Sequence, residues 1–217
     1  MRVEIWTDIA CPWCYVGRAR FDQGLAAFAH RDEVEVVHRS YELNPRAENG
    51  AVPIVEAVAA QYGRTREQQL AREEQAAEMA RSVGLGYRIG GRVFGNTFDV
   101  HRLLHLAKSH GVQAELADLA FRVNFVEERS VYDTETLVDL AVAVGLSETE
   151  TREVLGDPDA YAEDVRSDER LAAELGANGV PFFVLDRRYG VSGVQSPEMF
   201  TQALEQAWAG RPAAQTS

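Results

Sequence analysis

The hydrophobic positions at the start of the chain predict a strand, a helix and a second strand. Residues 3–7 alternate between apolar and polar side chains and are rich in β-forming types, which predicts a strand. Phe21, Leu25 and Phe28 then recur at the spacing of one helix face, and a β-rich run follows at 34–41. A helix between two strands of one sheet makes a right-handed crossover, so these strands are predicted to pair in parallel.

Helix signals dominate the middle of the chain. Thr65 and Ser147 each begin a capping box, and Asp157-Pro158 combines an N-cap residue with a proline at the first helical position. Five glycines between Gly84 and Gly95 predict a flexible loop. The predicted helices cover residues 65–83, about 103–111, 113–126, 134–144, 148–155 and 158–175.

Strand character returns near the C-terminus, followed by a last helix. β-rich runs at 181–185 and 189–194 flank a turn, and Ser196-Pro197 opens a helix with one apolar face that reaches about residue 208. With the first three elements, this predicts an α/β fold: one mixed sheet (βαβ plus ββα) with helices on its faces and a large all-helical insertion. We assign residues 1–44 and 158–217 to a discontinuous sheet domain and 45–157 to the helical insertion domain.

Composition and charge indicate a folded chain that does not bind polyanions. The chain has 217 residues, of which 46% are hydrophobic, and a net charge of −12, which repels nucleic-acid backbones and anionic lipid. Its longest apolar region, 137–146, contains Asp139 and is shorter than the ~20 residues of a membrane span. No basic and apolar leader follows Met1. We therefore expect a cytoplasmic protein that binds neither nucleic acid nor membrane.

Both cysteines of the chain fall in one Cys-Pro-Trp-Cys tetrad, Cys11 to Cys14, just after the first strand. At the start of a helix this spacing puts the two sulfurs on one face, close enough for a disulfide. The helix N-terminus stabilises a thiolate at Cys11, and a thiolate is the attacking species. Cys14, one turn inside, then resolves the mixed disulfide, and Pro12 suits the first helical position. The tetrad therefore favours thiol–disulfide chemistry.

Two other uses of the tetrad stay open at this point. A zinc half-site needs further ligands, and His101 and His105 have the spacing of one helix face, although nothing in the sequence brings them to Cys11. A pair of inert buried thiols is the second alternative. Intracellular cysteine pairs are more often catalytic or metal-binding than structural, so we favour the redox interpretation and predict no metal.

Four landmarks in this order resemble the DsbA-like thiol oxidoreductases of the thioredoxin superfamily, and most closely their FrnE branch. They are Asp-Ile-Ala-Cys-Pro-Trp-Cys at 8–14, Asn-Thr-Phe-Asp-Val-His-Arg at 96–102, Gly-Val-Pro-Phe-Phe at 179–183 and Ser-Gly-Val-Gln at 192–195. The resemblance implies a thioredoxin-like sheet domain and a disulfide oxidoreductase acting on a disulfide-containing protein or a small disulfide. It implies no cofactor beyond the Cys11–Cys14 couple, with glutathione open as a redox partner, and a monomer or homodimer.

The resemblance also implies roles for residues outside the cysteine pair. In the superfamily the proline that corresponds to Pro181 is cis and packs beside the active-site disulfide, while the residue before it, here Val180, contacts substrate. Pro12 and Trp13 are expected beside the same substrate. Without the resemblance, Pro181 is equally a proline at the start of a strand.

By the same resemblance, Asn96, Thr97, His101 and Gln195 are expected to line the substrate cleft, although helix capping explains Asn96 or Thr97 equally well. Related glutathione-dependent enzymes, the 2-hydroxychromene-2-carboxylate isomerases and kappa-class glutathione transferases, carry serine at the position of Cys11 and an acidic residue near that of Gln195. This chain departs from them at both positions. A glutathione-dependent isomerase or transferase and a non-catalytic thioredoxin-fold binding module are therefore the alternatives to the oxidoreductase.

Overall fold

A four-stranded mixed sheet organises the fold in the computed structural model, which describes residues 1–50, 52–127 and 129–211. The strand order is β2-β1-β3-β4, with β1 at Arg2–Thr7, β2 at Glu35–Ser40, β3 at Phe182–Leu185 and β4 at Tyr189–Ser192. β1 pairs in parallel with β2 and antiparallel with β3, and β3 pairs antiparallel with β4. The predicted α/β fold with a mixed sheet is confirmed. Residues 212–217, which the sequence assigns to the sheet domain, lie outside the described residues.

The described residues contain nine α-helices, seven of which lie between β2 and β3. A 3₁₀ turn at Arg31–Glu33 precedes β2, and a π-helical turn at Val123–Glu127 follows α5. The α-helices are α1 Pro12–Ala27, α2 Ile54–Gln61, α3 Arg66–Ser82, α4 Phe98–Ser109, α5 Gln113–Arg122, α6 Thr134–Ala143, α7 Glu148–Gly156, α8 Ala162–Glu174 and α9 Pro197–Ala209.

The two faces of the sheet pack against different helices because the side chains of β1 alternate. Val3 and Ile5 belong to a buried cluster that includes Phe21 of α1 and Phe200 of α9. Trp6 points to the opposite face, where its indole N–H donates to the carbonyl of Asp168 in α8 at 2.8 Å. The sheet is therefore covered on both faces, as an α/β fold requires.

Helix α1 separates the sheet from the helical insertion. Its sheet-facing side carries Phe21, whereas Cys14, Tyr15 and Val16 belong to a second large cluster formed with helices of the insertion. Tyr15 stacks on Phe125 of the π-helical turn, with ring centroids 5.1 Å apart. The cysteine-bearing end of α1 thus lies between the two layers.

The structure corrects the prediction that a helix opens at Asp157-Pro158, because α8 begins only at Ala162. Asp157 is the C-cap of α7, and its carboxylate accepts the N–H of Asp159 at 3.0 Å. Arg102 binds the carbonyls of both Asp157 and Ala160, and Tyr161 adopts a left-handed conformation with φ 57°. These bonds hold a turn where the local sequence favours a helix start.

The remaining helices match the predicted segments apart from α2, which has no predicted counterpart. The capping box at Thr65 is present: its side chain accepts the N–H of Gln68, whose side chain accepts the N–H of Thr65. Ser147 also caps its helix through the N–H of Glu150. Among the described residues, no helix is both long and apolar enough to cross a membrane.

Candidate active site

The cysteine tetrad forms the first turn of α1. Cys11 is the N-cap residue, with an extended backbone at φ −87° and ψ 115°, and Pro12 occupies the first turn, where its missing N–H costs no helical bond. The carbonyl of Cys11 accepts the N–H of Cys14 at 3.1 Å. A turn closed by the Cys11 N–H and the Asp8 carbonyl, at 3.0 Å, sets the entry from β1.

Both cysteines are thiols in this structure, and they differ in environment. Cys11 lines a cleft, although only 3% of its surface is exposed, and Cys14 is fully enclosed. Burial raises the pKa of Cys14 well above that of an ordinary thiol, and the hydrogen bond and charge of Cys11 raise it further. The backbone N–H of Asp8 acts against this rise in the pKa of Cys14, whereas the Asp8 carboxylate adds to it.

Val180 and Pro181 lie beside Cys11 and on top of α1. The Val180–Pro181 peptide bond is cis, the isomer that the resemblance implied. The thiol of Cys11 donates to the carbonyl of Val180 across 3.8 Å. Pro181 packs over Gly17, and its carbonyl accepts the N–H of Gly193 at 2.8 Å. Two segments about 170 residues apart therefore meet at one sulfur.

A cleft of about 250 Å³ opens above Cys11 between the sheet domain and the start of the helical insertion. Its lining includes Pro12 and Trp13 of the tetrad, as the sequence analysis expected. The other side is supplied by the segment after β2, helices α2 and α3 and the loop before α4, whose lining residues include Leu43, Tyr62, Arg64, Arg72 and Thr97. Thr97 was expected here from the resemblance, whereas Leu43, Tyr62, Arg64 and Arg72 were not, because no local motif marks them.

The structure does not bring Asn96, His101 or Gln195 into the cleft lining. The side-chain oxygen of Asn96 accepts the N–H of Phe98 at 2.7 Å, which forms a turn just before α4, whose N-cap residue is Thr97. Gln195 donates its side-chain amide to the carbonyl of Ser192 at 2.8 Å. His101 is fully buried beneath the active-site loop, with Nε2 3.7 Å from Oδ1 of Asp8.

Asp8 connects the loop before Cys11 with the segment after β2. Its carboxylate oxygens accept the N–H groups of Ala10 at 3.1 Å and of Leu43 at 2.7 Å. Both ring nitrogens of His101 are buried without a hydrogen-bond partner among the described residues. The Asp8 carboxylate lies near the His101 ring, beyond hydrogen-bond distance. This carboxylate therefore shapes the loop and adds negative charge behind Cys14.

Within the described part of the chain, no group of three histidine, cysteine or acidic side chains is arranged to hold a metal ion. His105, considered with His101 as a zinc ligand, instead places Nε2 3.2 Å from the Asp168 carboxylate and 3.2 Å from the Ser40 hydroxyl. These contacts fix His105 in the layer between β2 and α8, away from Cys11.

Comparison with known proteins identifies the family. The DSBA-like thioredoxin domain matches residues 2–205, nearly the whole chain. The chain belongs to this DSBA-like family. A probable DsbA oxidoreductase from Streptomyces coelicolor is 57% identical, and its crystal structure superposes with a TM-score of 0.95 over all of this chain and 94% of that one. The family predicted from the sequence is confirmed.

More distant structures share the DSBA-like fold. The cytosolic disulfide reductase DsbM from Pseudomonas aeruginosa, determined with GSH, is 16% identical with a TM-score of 0.68, over 96% of this chain and all of DsbM. A 2-hydroxychromene-2-carboxylate isomerase is 15% identical with a TM-score of 0.66, over 96% of this chain and 95% of the isomerase. At these identities the likeness concerns architecture, so one architecture serves a reductase and an isomerase.

Proposed function

We propose that the protein is a thiol–disulfide oxidoreductase in which Cys11 is the nucleophile and Cys14 the resolving thiol. The observation that carries this proposal is the pairing of two thiols in the first turn of α1, the outer one lining a cleft and the inner one enclosed. Family membership supports the same reaction class.

The reaction proceeds in two exchanges. The Cys11 thiolate attacks one sulfur of a substrate disulfide, the substrate S–S bond breaks, and one substrate thiolate leaves while a mixed disulfide forms. Cys14 then loses its proton and attacks the Cys11 sulfur, which breaks the mixed disulfide and releases the second substrate thiolate. The substrate gains two electrons and two protons, and the protein ends with a Cys11–Cys14 disulfide. The reverse sequence oxidises a substrate dithiol.

The differing environments of the two cysteines fit these separate roles. Cys11 lies at the N-terminus of α1, where the helix dipole favours an anion, and reaches the cleft. Cys14 has a raised pKa, so it stays a neutral thiol until the mixed disulfide is next to it. The Val180 carbonyl beside Cys11 is a backbone acceptor for an extended substrate segment.

An external thiol has to return the oxidised protein to the dithiol state. We propose glutathione as this partner, supported by the GSH in the DsbM structure, and no further cofactor. The substrate is then a protein disulfide or a small disulfide. We place the reaction in the cytoplasm, because the chain contains no cysteine outside the active pair that a structural disulfide could use.

Matched single-cysteine variants test the mechanism. Insulin reduction in the presence of dithiothreitol is expected for the wild-type protein and absent for Cys11→Ser. Cys14→Ser, which also keeps one thiol, should instead accumulate a mixed disulfide that mass spectrometry detects in non-reducing conditions. Undiminished insulin reduction by Cys11→Ser would overturn the proposed mechanism.

The alternative functions predict different results in the same preparations. A glutathione-dependent isomerase would convert 2-hydroxychromene-2-carboxylate and would retain that activity in Cys14→Ser, whereas we expect no conversion. The equilibrium potential of the Cys11–Cys14 couple against glutathione then gives the direction of electron flow. A potential below that of the cytosolic glutathione pool indicates a reductase, and one above it an oxidant or isomerase.

A further inference from the structure

The cleft that contains Cys11 has a charge opposite in sign to that of the whole chain. The chain carries 34 acidic and 22 basic residues, yet three arginines and only two carboxylates line the cleft. A net negative protein repels anions at long range, so a cationic cleft has to act through direct contacts. The partners of these five charged groups therefore decide what the cleft can bind.

Both carboxylates of the cleft are engaged by neighbouring groups. Asp8 accepts the backbone N–H groups of Ala10 and Leu43, as described above. Glu73 is buried in an ion pair with Arg92, and it also accepts the hydroxyl hydrogen of Tyr87 at 2.8 Å. Arg92 and Glu73 thus neutralise each other, and with the Asp8 carboxylate counted against the other two arginines the cleft keeps a single net positive charge.

Arg64 and Arg72 are those two arginines. In the described part of the chain, neither forms an ion pair with a carboxylate. Arg64 is nevertheless held in place: its Nη1 donates to the side-chain oxygen of Gln69 at 3.0 Å, and its guanidinium lies 4.6 Å from the centre of the Tyr62 ring. A neutral acceptor and an aromatic face orient this guanidinium without cancelling its charge.

The turn between α2 and α3 fixes where these arginines lie. The backbone N–H of Arg64 donates to the carbonyl of Ala59 at 2.8 Å, and the Thr65 capping box then starts α3. Arg72 follows Gln69 by three residues, so both project from the same face of α3, the face that lines the cleft. One side of the cleft therefore offers two guanidinium groups, with Cys11 and Trp13 on the other side.

We propose that this cleft selects low-molecular-weight disulfides that carry carboxylates, which Arg64 and Arg72 bind while Cys11 attacks the disulfide. This inference rests on the proposed exchange reaction at Cys11. Guanidinium groups bind carboxylates through paired, charge-assisted hydrogen bonds. Leu43, Tyr62 and Trp13 supply apolar surface for the carbon chain between carboxylate and sulfur. A cleft of about 250 Å³ suits a small molecule better than a folded protein segment.

Three small disulfides that differ in charge test the proposal: 3,3′-dithiodipropionate (dianion), 2-hydroxyethyl disulfide (neutral) and cystamine (dication). Rate constants are measured with the reduced protein by acid quench, alkylation and mass spectrometry. We expect the ratio of the dithiodipropionate rate constant to the hydroxyethyl disulfide rate constant to fall about tenfold in Arg64→Gln/Arg72→Gln. The ratio of the cystamine rate constant to the hydroxyethyl disulfide rate constant should rise in the same variant. About 0.5 M salt should reduce the preference of the wild-type protein for dithiodipropionate.

Arg81→Gln is the matched control, because it removes one positive charge from the same helix at an exposed position outside the cleft lining. It should leave both rate-constant ratios unchanged. Ratios that are the same in the wild-type protein and the double variant would overturn the inference. It would also be overturned if an acidic peptide disulfide, and not dithiodipropionate, depended on the two arginines.

A non-reactive ligand separates this inference from the exchange reaction. Suberate is the all-carbon analogue of dithiodipropionate and cannot undergo thiol exchange. Calorimetry should detect suberate binding to the wild-type protein and to Cys11→Ser, at least tenfold weaker binding to Arg64→Gln/Arg72→Gln, and no change in Arg81→Gln. Suberate binding without exchange of any disulfide would refute the proposed function and support the anion site. Exchange without arginine-dependent suberate binding would refute the anion site alone.

Discussion

Gly17 of α1 lies directly under Pro181, so that a β-carbon built on Gly17 would be 2.7 Å from Cγ of the proline. This separation is well inside van der Waals contact, so any side chain at position 17 requires the proline or the helix to move. Val180, whose carbonyl lies 3.8 Å from the Cys11 sulfur, precedes that proline. Because Gly17 has no side chain, Pro181 can pack directly on α1, and this contact positions Val180 beside Cys11.

Gly17→Ala is expected to destabilise the fold and slow thiol exchange together. Overpacking at a buried contact costs about 1–3 kcal/mol, which urea unfolding measures. Movement of Val180 away from Cys11 should lower the rate constant for insulin reduction about tenfold. Gly156→Ala is the control, since no atom lies within 4 Å of its β-carbon position. Equal unfolding free energies for Gly17→Ala and Gly156→Ala would contradict the packing argument.

Asp8→Asn is expected to lower the pKa of Cys14. Burial is the main reason that the pKa of Cys14 is raised, and the Asp8 carboxylate contributes to the rise, whereas the backbone N–H of Asp8 opposes it. The substitution removes the negative charge and keeps that N–H. The pH dependence of the ultraviolet absorbance of the thiolate, measured in Cys11→Ser, reports on Cys14 alone and needs no reagent to reach the enclosed sulfur.

The control for this charge change is Asp32→Asn, which neutralises an exposed carboxylate on the 3₁₀ turn before β2. Introduced into Cys11→Ser, it should leave the pH profile of thiolate absorbance unchanged. A Cys14 profile that does not shift in Asp8→Asn, or that shifts to higher pH, would show that the carboxylate has another role, such as accepting the Cys14 proton.

His38 is expected to make the fold sensitive to acid. Burial, and secondly the charge of Arg18, lower its pKa from 6.5 to about 3. The folded protein therefore keeps His38 neutral while the unfolded chain takes up a proton below pH 6.5, so stability is lost as pH falls from 6.5 towards 3. His38→Gln should remove about 1.4 kcal/mol of this loss per pH unit.

Urea unfolding at several pH values between 6.5 and about 4.5 measures that difference, because the other titrating groups are common to both proteins. Parallel profiles for the wild-type protein and His38→Gln would refute the assignment of acid sensitivity to His38.

Sequence patterns predicted the elements whose signals are local. The alternation in β1, the capping box at Thr65, the N-cap at Ser147 and the Ser196-Pro197 helix start depend on residues a few positions apart, and all are present in the structure. At Ser147 only half of the predicted capping box forms, because the Glu150 carboxylate faces His110. Asp157-Pro158 gave a wrong helix start because Arg102, more than 50 residues earlier, binds the carbonyls that shape this turn. Helix α2 was missed because its N-cap is Pro53, without a capping side chain.

The candidate site could be predicted only as far as its motif extends. The spacing of Cys11 and Cys14 predicts the cysteine pair, and the resemblance implies the position of Pro181 beside it. Arg64 and Arg72 carry no such mark, since their relevance depends on how α3 packs against α2 and against α1, the helix that carries the cysteines. The resemblance assigns Asn96 and His101 to the cleft, whereas Asn96 forms a turn before α4 and His101 is enclosed beside Asp8.

Asn124, in the π-helical turn, donates its buried side-chain amide to the carbonyl of Ile9, at 3.0 Å, in the loop that leads to Cys11. The helical insertion thereby supplies the hydrogen-bond donor for a carbonyl in the active-site loop of the sheet domain. Exchange of the insertion for another would leave the carbonyl buried and unpaired, at a cost of about 1–3 kcal/mol. A chimera with a different insertion therefore needs a donor at the same point, which makes the insertion part of the active-site loop's own framework.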